Sequence, residues 1–234
     1  MQDLIKPVHV STPIILPRDS LFIKPEVAKI SIESVTKNGK IYYTIDGSEP
    51  NQESQRYTGT FRLLENTVVK ARAFKKDFLP SFIKTAAIHF VDPEKNGLKY
   101  TVYEGNWNER PDLKNITPVS SGHIFQFNVC NIPKREDYVA IVFEGSVEIT
   151  HRGRYTFYSS ANDGSVLYID DVAVVDNAGY HGDKVDSGSI HLEAGHHNIK
   201  VLYFENTGTE SIDVFIEGPG LKKQPIPPSK LFNK

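Results

Sequence analysis

Two neighbouring stretches carry side chains suited to holding a polar ligand: Asn162-Asp163-Gly164-Ser165, and the segment from Asp176 to Asp183. Amide and carboxylate groups bridge adjacent hydroxyls, donating or accepting as each requires. Asn162 and Asp163 offer that chemistry where one strand-like run ends and another begins. Asn177, Tyr180 and His181 offer it in a segment interrupted by Gly179 and Gly182, which favours an exposed loop. A tyrosine ring adds a flat apolar contact, and a ring beside two or three polar groups is the usual make-up of a small-ligand site. The same residue types also build turns, and Asp-Gly is a common hairpin signal. Ligand contact and turn formation both stay open for Asn162-Asp163.

Other clusters read as structural. Asp46-Gly47-Ser48 has only Glu49 and Glu53 as further acids nearby, and Pro50 interrupts, so a plain turn is expected rather than a calcium loop. His196 and His197 are adjacent, and neighbours on a strand point to opposite faces, so they do not grip one metal. Asp170-Asp171 sits between two short apolar runs as a two-residue hairpin, which supplies no cleft for paired catalytic acids. No Gly-x-Ser-x-Gly elbow and no phosphate-binding glycine loop occurs. Cys130, the single cysteine, cannot form an internal disulfide. It follows Phe125, Phe127 and Val129 in alternation, so it is expected to be buried as a small hydrophobe. The chain is therefore expected to be non-catalytic and to need no cofactor.

The elements that position these residues are strands. Short alternating or β-branched runs recur between Gly, Asn, Asp and Pro, the pattern of β-sandwiches. The clearest are Ala28 to Val35, Ile41 to Ile45, Val68 to Phe74 and Ala87 to Val91. In the second half they are Val139 to Glu144, Tyr155 to Tyr158, Val166 to Ile169, Val172 to Val175, Asn198 to Phe204 and Ile212 to Ile216. Between the halves, Asp92-Pro93-Glu94-Lys95-Asn96-Gly97 is polar and rich in turn formers, so it is expected to be an exposed linker. The expectation is an all-β chain of two consecutive sandwich modules, 12–91 and 97–232, the first small and the second larger. With 27 basic and 29 acidic residues evenly spread, nucleic acid is not an expected partner. No run approaches the roughly 20 apolar residues of a membrane span. Met1 to Pro7 lacks the apolar core of a secretory leader, so the chain is expected to be either cytosolic as written or cut from a longer precursor.

Two family resemblances sharpen this picture. Ile41-Tyr42-Tyr43-Thr44-Ile45-Asp46-Gly47-Ser48-Glu49-Pro50, with Ser54, Tyr57, Gly59 and Val69-Lys70-Ala71-Arg72-Ala73, resembles the chitobiase/β-hexosaminidase C-terminal type domain from Thr12 to Val91. The resemblance implies a small immunoglobulin-like sandwich appended to secreted glycosidases. Asp77 stands where such domains more often carry glycine, so it is expected to adopt a positive φ. The second half, from Gly97 to about Phe232, is similar to the protective-antigen type (PA-fourteen) domain. The matching blocks include Tyr103-Glu104-Gly105-Asn106-Trp107, Gly153-Arg154-Tyr155-Thr156-Phe157 and Asn162-Asp163-Gly164-Ser165-Val166-Leu167-Tyr168-Ile169-Asp170. Tyr203-Phe204-Glu205 and Gly218-Pro219-Gly220 complete the set. That resemblance implies a larger sandwich with glycan-binding ability, a core role for Trp107, and a ligand site at Asn162 and Asp163, to which the neighbouring loop, Asp176 to Asp183, is expected to add Asn177, Tyr180 and His181. Asn162 replaces the first acid of the family's Asp-Asp pair, and an amide oxygen brings calcium no charge, so at most a weak calcium site at Asp163 is implied. Together the resemblances imply an accessory region of a periplasmic, cell-surface or extracellular glycosidase such as a β-hexosaminidase. Its partners would be an oligosaccharide or polysaccharide and an upstream catalytic domain. A purely structural spacer and a surface adhesion module are the alternatives.

Overall fold

A computed structural model describes residues 8–233. The chain divides into two compact units, Met1–Val91 and Asp92–Lys234. Met1 to Pro7, the stretch read as lacking a leader core, lies outside the described residues.

The first unit is a sandwich of a three-stranded and a five-stranded sheet. Its strands are β1 (Ile14–Leu16), β2 (Ser20–Ile23), β3 (Ala28–Glu33), β4 (Lys40–Thr44), β5 (Gln55–Arg56), β6 (Phe61–Leu63), β7 (Thr67–Phe74) and β8 (Lys84–Val91). The sheet orders are β1-β3-β6 and β2-β8-β7-β4-β5. Alternation places Ile30 and Ile32 of β3 opposite Val69 and Ala71 of β7 in one core, with Ile15, Tyr43, Ile88 and Phe90. Tyr43 is buried there, stacked 4.6 Å from Phe61, while Tyr42 faces outward to meet Phe74 edge-on. Three turns carry the expected chemistry. Asn38 and Asp77 hold φ of 61° and 65°. Asp46 accepts from the Ser48 N–H and hydroxyl through one oxygen, and those bonds hold its carboxyl below the usual range.

The second unit is built from β9 (Leu98–Glu104), β10 (Ser120–Ile124), β11 (Val139–Ile149), β12 (Gly153–Asn162), β13 (Gly164–Ile169), β14 (Val172–Asn177), β15 (Lys184–Leu192), β16 (Gly195–Glu205), β17 (Ser211–Gly218), β18 (Leu221–Pro225) and β19 (Leu231–Phe232). One sheet runs β10-β9-β11-β16-β13-β14, with β19 beside β11, and the other runs β15-β12-β17-β18. Ile141, Phe143, Phe157, Leu167, Val201 and Tyr203 fill the space between them. β11 and β16 are also covered on their other face, where Ala140, Val142, Leu202 and Phe204 pack under Tyr103, Trp107 and Leu113. This double covering explains why these strands read as unbroken apolar runs rather than alternations, and it gives Trp107 a packing role. Asp170 and Asp171, with φ of 47° and 64°, close the β13–β14 hairpin between Ile169 and Val172. His196 meets the Phe232 ring, while His197 takes Asp170.

Two expectations fail. Cys130 is exposed, because β10 ends at Ile124 and the chain bends through the following residues instead of alternating. The Asp92 to Gly97 segment starts at the boundary between the units and is exposed at Pro93, Glu94 and Lys95, but its last two residues are not exposed. Asn96 is buried and donates to the carbonyls of Leu231 (3.1 Å) and Ser229 (3.3 Å). The Gly97 N–H donates to Leu231 O, and the Asn233 N–H to Lys95 O. Local composition signals a break; long-range pairing with β19 turns it into part of the second unit.

Candidate ligand-binding corner

At one end of the second unit the chain passes from the smaller sheet to the larger. β12 belongs to one and β13 to the other, with Asp163 alone between them. The Asn162–Asp163 peptide is cis. The next residue has to be glycine. A Cβ on Gly164 would lie 2.2 Å from the Phe204 ring and 2.9 Å from Gly179 O. The corner is thus seated directly on β16 and on the loop that follows β14.

Asp163 is 3% exposed, and its Oδ2 accepts from the Asn206 N–H at 2.9 Å. Asn206 is buried too, and its amide stitches a further segment to this one. Nδ2 donates to Trp107 O (2.8 Å) and Asn108 Oδ1 (3.0 Å), and Oδ1 accepts from the Trp107 N–H (3.0 Å). Beneath them the Tyr203 hydroxyl donates to Asn162 O at 2.7 Å. Glu205 is wholly buried, and its Oε1 has no protein partner. Burial, and after it the nearby Asp163 charge, push its carboxyl up to about 7. Burial also raises the Tyr203 hydroxyl. Glu210 is paired with Lys134, both largely shielded from solvent.

The five residues chosen from the sequence come together here in two layers. Tyr180 is 58% exposed, and its hydroxyl lies 3.4 Å from Thr207 Oγ1, joining the loop after β14 to the loop after β16. Asn162 and His181 are half-exposed. The His181 ring nitrogens lie 2.8 Å from Gly182 O and 3.1 Å from Asn177 O. Asp163 and Asn177 form the inner layer. Asn177 is fully buried, and its Nδ2 donates to Lys184 O (3.0 Å) and Ser159 O (3.4 Å), tying β14 to the neighbouring strands. Sequence reasoning missed Asn206, Glu205, Glu210 and Lys134. The available signal was the position of Glu205-Asn206 directly after the apolar run Val201 to Phe204, since polar groups carried inside need partners there.

Calcium takes roughly six to eight oxygen ligands. Here one Asp163 oxygen is engaged by the Asn206 N–H, Asn162 brings no charge, and among the described residues no three His, Cys, Asp or Glu side chains form a group able to hold a metal. The donor set does not fit a calcium ion. The arrangement is instead a hydrogen-bonded frame behind an exposed ring and two polar side chains, suited to a ligand with an apolar face and several hydroxyls.

Comparison with known proteins agrees with the division of the chain. Residues 24–85 match the chitobiase/beta-hexosaminidase C-terminal domain. The anti-sigma-I factor RsgI3 of Acetivibrio thermocellus is 30% identical over 98 residues, which are 42% of this chain and 15% of that protein's length. The structure of an anti-sigma factor domain-containing protein aligns over 83% of this chain and 76% of its own, with 20% identity and a TM-score of 0.53. A PA14 sugar-binding domain from an RTX adhesin aligns over 59% of this chain and 99% of its own, with 14% identity and a TM-score of 0.43. Residues 94–228, more than half of the chain, match the PA14 domain itself, and the chain belongs to the PA14 domain family.

Proposed function

We propose that this chain is the carbohydrate-recognising region of a larger protein that works outside the cytoplasm, and that it binds an oligosaccharide or polysaccharide at the Asn162–Asp163 corner without catalysing a reaction. The observation that carries the reading is the convergence of the 178–183 loop and the 206–210 loop on that corner, with the Tyr180 ring exposed at its lip. Tyr180 supplies the apolar platform and Asn162 and His181 the polar contacts, while the buried Asp163 and Asn177 hold the loops that present them. A shallow site buries little ligand, so affinity is expected between about millimolar and tens of micromolar. The test is a glycan array with the whole chain, followed by titration of the best hit into Tyr180→Ala, Asp163→Ala and Asp163→Asn. Loss of binding in Tyr180→Ala and Asp163→Ala, in chains that still melt cooperatively, is expected. Unchanged binding in all three moves the site elsewhere.

The parent protein has two readings. A glycosidase is favoured by the first unit's match to a domain named for chitobiase and β-hexosaminidase. An anti-sigma factor is favoured by a likeness that spans 83% of this chain and by the 30% identity to RsgI3. In the second case glycan binding would be the input to a regulator. Assaying the natural full-length protein for glycoside hydrolysis and for sigma-factor binding separates the two.

A further inference from the structure

The outward face of the five-stranded sheet in the first unit is a cationic surface that the corner does not use. Charges that look evenly spread along the chain divide unequally between the units. Residues 8–91 hold 12 Lys and Arg against eight Asp and Glu, whereas residues 92–234 hold 14 against 20. The division is sharpest in this sheet, whose strands β2, β4, β5, β7 and β8 contain five Lys and Arg and not one acid. Tyr43 and Ala71 face the core, so alternation points Lys40, Tyr42, Lys70, Arg72 and Phe74 the other way, and Arg56 lies across from Tyr42. Arg56, Tyr42 and Arg72 thus form one row across β5, β4 and β7, with about 4.8 Å from strand to strand. Phe74 stands beside the row. Its ring meets Tyr42 edge-on with centroids 5.5 Å apart, and the Arg72 guanidinium lies 5.7 Å from its centroid. Arg72 Nε donates to Ser81 O at 2.9 Å, which fixes that guanidinium, and Lys70 is engaged by Gly47 O. Lys40 and Arg56 are exposed. Among the described residues neither they nor Arg72 reach an acid, because every ion pair there joins residues of the second unit.

We propose that this face binds an anionic polysaccharide, a sugar chain carrying carboxylate or sulfate groups, at a site separate from the corner. Lys40, Arg56 and Arg72 repel one another on one sheet, and a polyanion laid across them supplies the missing counter-charge. Guanidinium groups hold oxyanions through paired, charge-assisted N–H bonds, and Arg72 is already fixed in place. The rings in and beside the row favour a sugar backbone, whose apolar face rests on an aromatic side chain while its hydroxyls stay in water. A peptide laid on this face would find no main-chain partner, because β4 and β7 are each paired on both sides. Nucleic acid offers comparable charge and stacking, so the choice of a sugar polymer over it rests on the proposed role outside the cytoplasm.

The experiment is calorimetric titration of the whole chain with dextran sulfate and with alginate, against uncharged dextran. At least one of the two polyanions is expected to bind saturably, about tenfold or more tighter than dextran and more weakly as salt rises, and which one binds assigns sulfate or carboxylate. Lys40→Gln with Arg56→Gln removes two exposed, unpaired cations from the face and should weaken that binding about tenfold. Lys29→Gln with Arg62→Gln removes the same charge from the opposite sheet, where the two are exposed cross-strand neighbours, and should leave affinity within about twofold. The proposal is overturned if neither polyanion binds more tightly than dextran, or if the two pairs of substitutions weaken binding equally, which would leave net charge as the whole cause. Binding of poly-L-glutamate or single-stranded DNA as tight as that of the better polyanion also overturns it. Should the Lys40 and Arg56 variant not fold, the comparison with dextran, poly-L-glutamate and DNA in the unaltered chain still decides.

Discussion

Asn206 is the residue on which the corner depends most, and its removal has a calculable cost. Asn206→Ala keeps the main-chain N–H that Asp163 accepts from and deletes three side-chain bonds: two from Nδ2, to Trp107 O and Asn108 Oδ1, and one into Oδ1 from the Trp107 N–H. Each such bond contributes about 0.5–1.5 kcal/mol net, and a buried group left unpaired costs more. The Trp107 and Asn108 groups lie near the surface and recover some water, so a loss of about 2–3 kcal/mol is expected. At roughly 2–4 °C per kcal/mol, the second unit should melt about 5–10 °C lower. The chain has one tryptophan, Trp107, and it is the group being released, so its fluorescence reports the event directly. Thermal unfolding followed by tryptophan emission should show the lower midpoint together with a red-shifted native spectrum. Asn206→Asp restores the acceptor for Trp107 but not the two donors, and it adds a charge beside Asp163, so it should not rescue the chain. A native spectrum unchanged in Asn206→Ala, with stability within about 0.5 kcal/mol of the parent, would refute the claim that this amide holds the corner.

Glu205 should make stability depend on pH. Its folded carboxyl is raised above the ordinary 4.5 to about 7, so the folded chain binds the extra proton. That stability is full below about 4.5 and is lost as pH rises through 7. At about 1.4 kcal/mol per pKa unit, Glu205→Gln should gain about 1–3 kcal/mol at pH 8 relative to its effect at pH 4, measured by urea unfolding; a pH-independent difference excludes the assignment. Asp171 holds φ of 64° in the β13–β14 turn, so Asp171→Gly should stabilise by about 1 kcal/mol in the same assay, and destabilisation would show that the side chain outweighs backbone strain. Cys130 is exposed and should react with a water-soluble thiol reagent in the native chain as fast as in urea; a latent thiol would contradict its placement.

Most of the fold was legible because strands write themselves locally. Ile30 and Ile32, Tyr42 and Tyr43, and the Asp170-Asp171 hairpin all follow from a period of two and from turn chemistry, which need only a few residues of context. The errors came where distant segments decide. Cys130 follows the inward Val129 directly, so the alternation of Phe125, Phe127 and Val129 puts it on the outer face, and the strand itself ends six residues earlier, at Ile124. Asp92 to Gly97 has linker composition, yet Asn96 is claimed by carbonyls more than 130 positions away. Propensity carries no information about such partners.

The corner shows the same boundary between place and role. The family pattern at Asn162-Asp163 falls on a sheet-to-sheet crossing, which needs a small residue after it, and Gly164 supplies one. The pattern did not separate side chains that face solvent from those that hold the frame. Asp163 and Asn177 are polar residues of the type that touches ligands, yet each is buried and bonded to main chain, Asp163 to Asn206 and Asn177 to Lys184. Burying polar groups costs free energy unless every one finds a partner, so a set of buried amides and carboxylates at one end is expensive to keep. Their retention is explained if they fix the loops that carry Tyr180 and His181, because a shallow site gains affinity mainly from contacts already in position. Asn177 Oδ1, Glu205 Oε1 and Glu210 Oε1 have no protein partner, so the frame is not fully satisfied at these atoms. Proton binding at Glu205 relieves its buried charge, so the frame carries that electrostatic cost above about pH 7 and not at acid pH.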